Sequence, residues 1–409
     1  MVIILNCRVR AKRHSLRGLS LFYHLEMRIL IAPNAFKGTL GPLAAARAMA
    51  RAVRAFLPGA EIELFPVSDG GDGLLETFMF HGHGSYRTLT VPGPVFKPVR
   101  ARWVMSGDTA VIEMAQASGL KYLSKSRLSP LDAATFGVGR LIRAAERSGA
   151  RSVLIGLGGS ASSDGGAGCA AGFGFKLLDR AGAPVPPGAR GLLKLERIVP
   201  PPFLKQGRRE RTGIKITALT DVDNPLTGPR GSAIVYGPQK GAGQAEVAVM
   251  ESALNHYARV IKRELGVDVR KMKGGAAAGG LGAGLHAFFG SELVSGAAFV
   301  LERLGFEAAL KRSDLVITGE GRFDRQSFYG KAPVAVARLA MRHKKPTLLV
   351  CGSCDLKDKR RLAENGISGV IALDEVLPLA ELLEKPAKAL TDGLLLSRET
   401  LSSFLGSGR

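Results

Sequence analysis

From Met27 the chain opens on an apolar run, RILIAP at 28–33, which has strand length and leads into a polar, glycine-bearing loop. The next apolar positions, Leu43, Ala46, Ala50, Val53 and Leu57, recur at three- and four-residue spacing. They predict a helix with Pro42 in its first turn, where the missing proline N–H costs nothing. After Pro58-Gly59 a second run, EIELF at 61–65, predicts another strand, so this segment reads as a βαβ unit with parallel strands. Between 86 and 114 the texture changes to short alternating runs separated by Gly-Pro and Ser-Gly-Asp turns, the pattern of hairpins. Then come a helix at 130–148, strands at 152–156 and 214–219, and a long helix marked by Val247, Met250, Leu254, Tyr257 and Ile261. Strands at 314–318, 346–351 and 369–372, with helices between them, resume the first texture.

This order predicts an α/β protein of two domains. Residues 27–90 plus 290–409 form a discontinuous parallel-sheet domain, and 91–289 form an inserted mixed α/β domain. Residues 1–26, with Arg8, Arg10, Lys12, Arg13 and Arg17 against the single acid Glu26, stand apart as a basic extension outside the fold. Met27 reads as the start, although an arginine-rich, acid-poor leader also has the composition of an organelle transit peptide. The proline-rich and basic stretch 181–213 reads as a surface excursion and the place where order is least expected.

Composition narrows the classes. No apolar run approaches the roughly 20 residues that span a bilayer, so no membrane role is expected. The formal charge of +22 attracts anions of any kind. Its basic residues are scattered and aromatics are only 6%, which favours a small anionic substrate over nucleic acid. Four unevenly spaced cysteines, Cys7, Cys169, Cys351 and Cys354, fit a reducing cytoplasm rather than a disulfide framework. Cys351-Gly-Ser-Cys354 has no second ligand pair for zinc and reads as coincidence, as does the His81-Gly-His83 pair.

The candidate chemistry lies in glycine-rich and acidic loops. APNAFKGTL at 32–40 places Lys37 before a helix N-terminus, where anions are favoured, although a solvated turn lysine is the plainer reading. PVSDGGDG at 66–73 sets Asp69 and Asp72 around a Gly-Gly turn, a pair that could hold magnesium or simply form the turn. GLGGSASSDGGAG at 156–168 follows a strand and offers backbone N–H groups and hydroxyls, with Gly158, Gly159 and Ser160 foremost. Its loose GxGxxA spacing lacks the acid that a dinucleotide fold would place about 20 residues on. Asp164 within it could hold magnesium, act as general base or cap a helix. TDVDNPLTG at 220–228 brings Asp221, Asp223 and Asn224, and YGPQKGA at 236–242 brings Gln239 and Lys240, an amide and a cation suited to a carboxylate or phosphate. GGAAAGGLGAGL at 274–285, with Gly279 and Gly280, allows close approach to a ligand or to another helix. ITGEGRFDRQSFYGKAP at 317–333 places Glu320 and Asp324 at a strand end, with Lys331 nearby. The GxxxxGK[ST] pattern of P-loop enzymes is absent.

Taken together and in order, these seven motifs resemble the type I glycerate kinases, a bacterial family of glycerate 2-kinases, from about Met27 to the final helices. The resemblance implies a flavodoxin-like domain and a restriction-endonuclease-like domain with the active site between them, ATP and Mg2+ as cofactors, and transfer of the γ-phosphoryl to D-glycerate, giving 2-phosphoglycerate. It implies catalytic roles among Lys37, Asp69, Asp164, Asp221 and Asp223, and magnesium at Asp69 and Asp72. Gly158, Gly159, Ser160, Gly279, Gly280, Glu320 and Lys331 would bind nucleotide, and Asn224, Gln239, Lys240 and Asp324 the substrate. Four positions depart from the frequent pattern: Asn34-Ala35 for Asp-Ser, Gly41 for Ser, Asp72 for Glu and Ser163 for Asn. The expected partners are the small-molecule substrate and a second copy of the chain. The alternatives are a kinase of another small hydroxy acid and, further off, a basic nucleic-acid-binding protein.

Overall fold

The computed structural model describes residues 3–4, 27–204, 214–356 and 358–406. The chain divides into two compact units, Met1–Asp69 with Ala297–Arg409, and Gly70–Gly296.

The first unit is built on a six-stranded sheet whose order is Ile3–Ile4, Gly369–Ala372, Thr347–Cys354, Leu315–Phe323, Arg28–Pro33 and Glu61–Leu64. Every pairing is parallel except that of Ile3–Ile4. The rest of the basic extension, 5–26, lies outside the described residues. A parallel strand buried on both faces should be apolar rather than alternating, and after the exposed Arg28 the run ILIAP is. Ile29 and Ile31 enter one core with Met49, Val53 and Leu390, while Leu30 and Ala32 enter another with Phe306, Leu310 and Val336. Helix Pro42–Phe56 begins on the predicted proline and buries Ala45, Ala46, Met49, Ala50 and Val53.

The second unit carries a mixed sheet in the order Glu292–Val294, Lys215–Leu219, Ser152–Gly156, Thr109–Glu113, Pro98–Ser106 and Ser85–Pro92. The first four strands are parallel and the last two antiparallel, as the hairpin texture of 86–114 predicts. Helix Gln244–Leu265 buries Met250, Leu254, Tyr257 and Ile261. Two expectations fail here. The helix expected over 130–148 spans Phe136–Arg147, because the backbone N–H and hydroxyl of Thr135 are taken by the side chain of Asp164. The excursion expected over 181–213 contains ordered structure up to residue 204, including helix Gly188–Leu192 and a strand at Arg197–Val199. Ala189, Leu192, Leu195 and Ile198, three residues apart in turn, are buried in the core and anchor it. Residues 205–213 lie outside the described part. Among the described residues no helix is long and apolar enough to cross a membrane.

Candidate active site

Numbered along the first unit from Arg28–Pro33, its parallel strands run 2-1-3-4-5, the doubly wound order of flavodoxin-like sheets. Ligands of such sheets bind where the order reverses, outside the carboxyl ends of strands one and three. Here those ends are Pro33 and the residues around Glu320. The buried Asn34 donates from Nδ2 to Asp69 Oδ2 at 3.0 Å and accepts the Ala35 N–H on Oδ1 at 2.8 Å. An ionised aspartate at 34 would have no proton to give Asp69, so the asparagine changes how that carboxylate is held. Lys37 is exposed on the following loop.

Glu320 is 5% exposed, and its Oε2 accepts from Lys331 Nζ at 3.1 Å, while Lys331 also reaches Ser327 Oγ at 3.1 Å. Its Oε1 is buried without a hydrogen-bond partner. Burial pushes the Glu320 carboxyl up, Lys331 and Ser327 pull it back, and Asp69 adds to the rise. Among the described residues no donor reaches this atom, and a buried oxygen left unpaired costs free energy. Asp324 caps the turn Arg325–Tyr329, accepting the Gln326 N–H at 2.8 Å.

In the second unit the parallel strands again deliver the motifs at their carboxyl ends. Strand Ser152–Gly156 leads into the glycine loop, and the turn Gly70–Gly73 lies directly against it. A Cβ on Gly156 would sit 2.0 Å from Gly70 O, and one on Gly158 would sit 2.5 Å from Gly71 Cα. Glycine is therefore required at both by contact with another backbone. Asp72, exposed, brings Oδ1 to 3.5 Å from where a Gly159 Cβ would be. The loop is pinned by Leu120 N–H to Gly159 O and Ala161 N–H to Ser118 O, both 2.9 Å, with Ser160 between them buried. Among the described residues no group of three or more His, Cys, Asp and Glu could hold a metal ion. Magnesium carried on phosphates needs only one or two carboxylates, and the exposed Asp72 beside the glycine loop fits that need.

Deeper in the loop, Asp164 is fully buried and accepts from Thr135 N at 2.8 Å, Thr135 Oγ1 at 2.9 Å, Gly166 N at 3.1 Å and Gly168 N at 3.0 Å. Burial pushes its pKa up and these donors oppose the rise. Its oxygens are spent on holding the loop. Lys240, 2% exposed, donates from Nζ to Ser162 O, and burial lowers its pKa to about 7, Asp164 opposing. Among the described residues the buried hydroxyls of Ser162 and Ser163 have no hydrogen-bond partners.

Helix Ala277–Phe289 is broken at Ala278, Gly279 and Gly280, all at positive φ. A Cβ on Gly279 would lie 1.9 Å from Ser162 O and 2.8 Å from Lys240 Nζ, and one on Gly280 would lie 2.7 Å from Gly165 Cα. The space beside both is thus filled by the glycine loop and Lys240. Tyr257 on the long helix completes this packing, donating to Gly165 O at 3.2 Å.

Asp221 accepts from Ser295 Oγ at 2.8 Å and Gly296 N at 3.0 Å. Asp223 forms an exposed pair with Arg230 at 3.2 Å. Asn224 Nδ2 donates to Arg230 O and its Oδ1 accepts from Tyr236, both at 2.8 Å, so it organises its own loop. Gln239 is exposed.

The model of the glycerate kinase family matches residues 29–394. The chain belongs to the glycerate kinase family. It is 40% identical over 370 residues to the glycerate kinase of Halalkalibacterium halodurans, covering 88% of this chain and 96% of that protein. It is 38% identical over 387 residues to the glycerate 2-kinase of Escherichia coli, covering 93% and 99%. A crystal structure from Salmonella typhimurium LT2, provisionally assigned as glycerate kinase 2, superposes with a TM-score of 0.75 at 36% identity, over 93% of this chain and all of that one. This kinase is therefore an enzyme that takes a phosphoryl group from a nucleotide, built on an α/β fold whose described residues form a largely parallel sheet, a mixed sheet and a two-stranded antiparallel pair.

Three residues that the motifs did not single out contact the candidate residues. Thr135 binds Asp164, Ser327 binds Lys331, and the buried Glu113 accepts from the turn that carries Asp72. Ser327 lay within the quoted motif 317–333, and Glu113 left a signal as an acid closing the apolar strand TAVIE at its carboxyl end.

Proposed function

We propose that this kinase transfers the γ-phosphoryl of ATP, as its magnesium complex, to the 2-hydroxyl of D-glycerate. The observation that carries this reading is the placement of acids, cations and glycine backbone at the carboxyl ends of parallel strands in each unit. The name of the E. coli relative, a glycerate 2-kinase, supports transfer to the 2-position.

Phosphoryl transfer asks the protein for position and charge neutralisation more than for covalent chemistry. Lys37 and Lys331 supply cations for phosphate oxygens, and the unpaired Glu320 Oε1 accepts a hydroxyl or amine of the nucleotide. Asp72 would hold magnesium, which would supply positive charge to offset that of the transferring phosphate. Asp69, oriented by Asn34, accepts the proton of the attacking hydroxyl. The exposed Gln239 and the loop at Asn224 form the side that receives the carboxylate of the acid substrate, while Lys240, expected to bind that substrate, is buried on the Ser162 carbonyl and holds the glycine loop. Asp164, Gly279 and Gly280 hold the loop in shape rather than touching ligand.

The test is ADP release by the full chain with magnesium, comparing D-glycerate, L-glycerate, glycolate and no acceptor, with NMR of the product. Turnover dependent on D-glycerate and a phosphorus-coupled C2 are expected. Turnover with glycolate alone would reassign the substrate to another hydroxy acid, and none with any acceptor would overturn the kinase reading of this site.

A further inference from the structure

The turn Gly70–Gly73 presents Asp72 from backbone with unusual freedom, since Gly70 and Gly73 lie at φ 88° and 92°. A catalytic carboxylate on such a turn needs an external brace, because glycine adds conformational entropy to the free chain. The glycine loop supplies one wall of it, by the contacts at Gly156 and Gly158. Glu113 supplies the other. It ends strand Thr109–Glu113, opposite Gly156 in the neighbouring parallel strand, and it is 6% exposed. Its Oε1 accepts from Gly73 N at 3.0 Å and Leu75 N at 3.1 Å, and its Oε2 accepts from Gln116 Nε2 at 2.8 Å.

An acid at that depth is expensive to bury, and mere core filling would be served better by an apolar side chain. Three charge-assisted hydrogen bonds compensate for the burial. Two of them go to the first and third residues after Asp72, so the carboxylate fixes the direction in which the turn leaves Asp72 and enters helix Leu74–Phe80.

We propose that Glu113 is the positioning residue of the magnesium-bearing turn, holding Asp72 against the glycine loop without touching metal or substrate. This rests on the reading of Asp72 as the magnesium ligand. Removing a group that orients a metal ligand typically costs about 10- to 100-fold in metal affinity or activity. Glutamine can still accept from both N–H groups on Oε1, if Gln116 turns its amide to present its oxygen to the new donor.

The test compares wild type, Glu113→Ala, Glu113→Asp and Glu113→Gln in the full chain. Manganese binding by electron paramagnetic resonance in the presence of nucleotide, and hydrogen exchange at the Gly73 and Leu75 amides, are read alongside the magnesium dependence of turnover. Glu113→Ala is expected to weaken manganese binding and raise half-saturating magnesium about tenfold or more, with faster exchange at both amides. The aspartate variant, too short by one methylene, should behave similarly, and the glutamine variant should restore most of the binding. If the alanine variant does not fold, the aspartate variant carries the same comparison. A folded alanine or aspartate variant with wild-type manganese binding and half-saturating magnesium, differing only in melting temperature, would overturn the positioning role. Absence of magnesium-dependent turnover and of manganese binding in wild type would instead remove the reading of Asp72 on which it rests, leaving the amide protection by Glu113 as a purely structural brace.

Discussion

The ammonium of Lys240 is buried against the main-chain carbonyl of Ser162, in space that exists only because residue 279 has no Cβ. Burial lowers its pKa to about 7 from the ordinary lysine value of 10.5, so the unfolded chain binds more protons than the folded one between those values. Stability must therefore rise as pH increases through that window, and the cost of the buried charge is fully present below about pH 7. Thermal unfolding from pH 6.5 to 9.5 should show this rise above the background of other groups, and Lys240→Met should flatten it. An identical pH slope in the two proteins would refute the assignment.

Asp164 and Thr135 are predicted to act as one unit of stability. Asp164→Asn keeps one acceptor oxygen and turns an NH2 either on the Gly166 N–H or on the Gly168 and Thr135 N–H groups, at a cost of about 1–3 kcal/mol in urea unfolding. Thr135→Val should cost less, and the double variant less than the sum, because both remove the same bond. Additive losses would show that the two residues are independent.

Gly156→Ala places a methyl 2.0 Å from Gly70 O, where the obstacle is backbone. Overpacking of this kind costs about 1–3 kcal/mol. Because the displaced backbone carries Asp72, half-saturating magnesium should rise together with the drop in melting temperature. A stability loss with unchanged magnesium dependence would separate the turn from the metal site.

Lys331→Met leaves Glu320 buried without the cation that offsets its charge. If Lys331 neutralises transition-state phosphate, kcat should fall about 100-fold or more, the scale of removing one such electrostatic contact. Glu320→Gln should chiefly raise the KM for ATP. Steady-state kinetics of the two variants checks both, and a rise in the KM for D-glycerate alone would move this cluster to the acid substrate.

Much of the architecture was legible along the chain. RILIAP announced a strand buried on both faces because its apolar run has no polar alternation, and the texture of 86–114 announced antiparallel strands because turn residues punctuate it. The motifs in order announced the family. These signals are local, since strand and helix periodicity record which face of an element is buried. The start of the helix at Phe136 was not legible, because its cause, Asp164, lies 29 positions from Thr135. The same distance hid the role of Asp164 itself, whose carboxylate is indistinguishable in sequence from a catalytic one.

The sequence by itself determined the elements, the glycine and acid-bearing loops between them, and membership of the glycerate kinase family. Only the tertiary structure decided which acids and glycines face outward and which are spent inside. Gly279 and Gly280 open space for the protein's own backbone, and Glu113 braces a turn 40 residues before it in the chain. The physical reason is that an ionisable or flexible residue takes its role from the donors and backbone that distant segments bring within about 3 Å, and no periodicity of neighbouring residues encodes those partners.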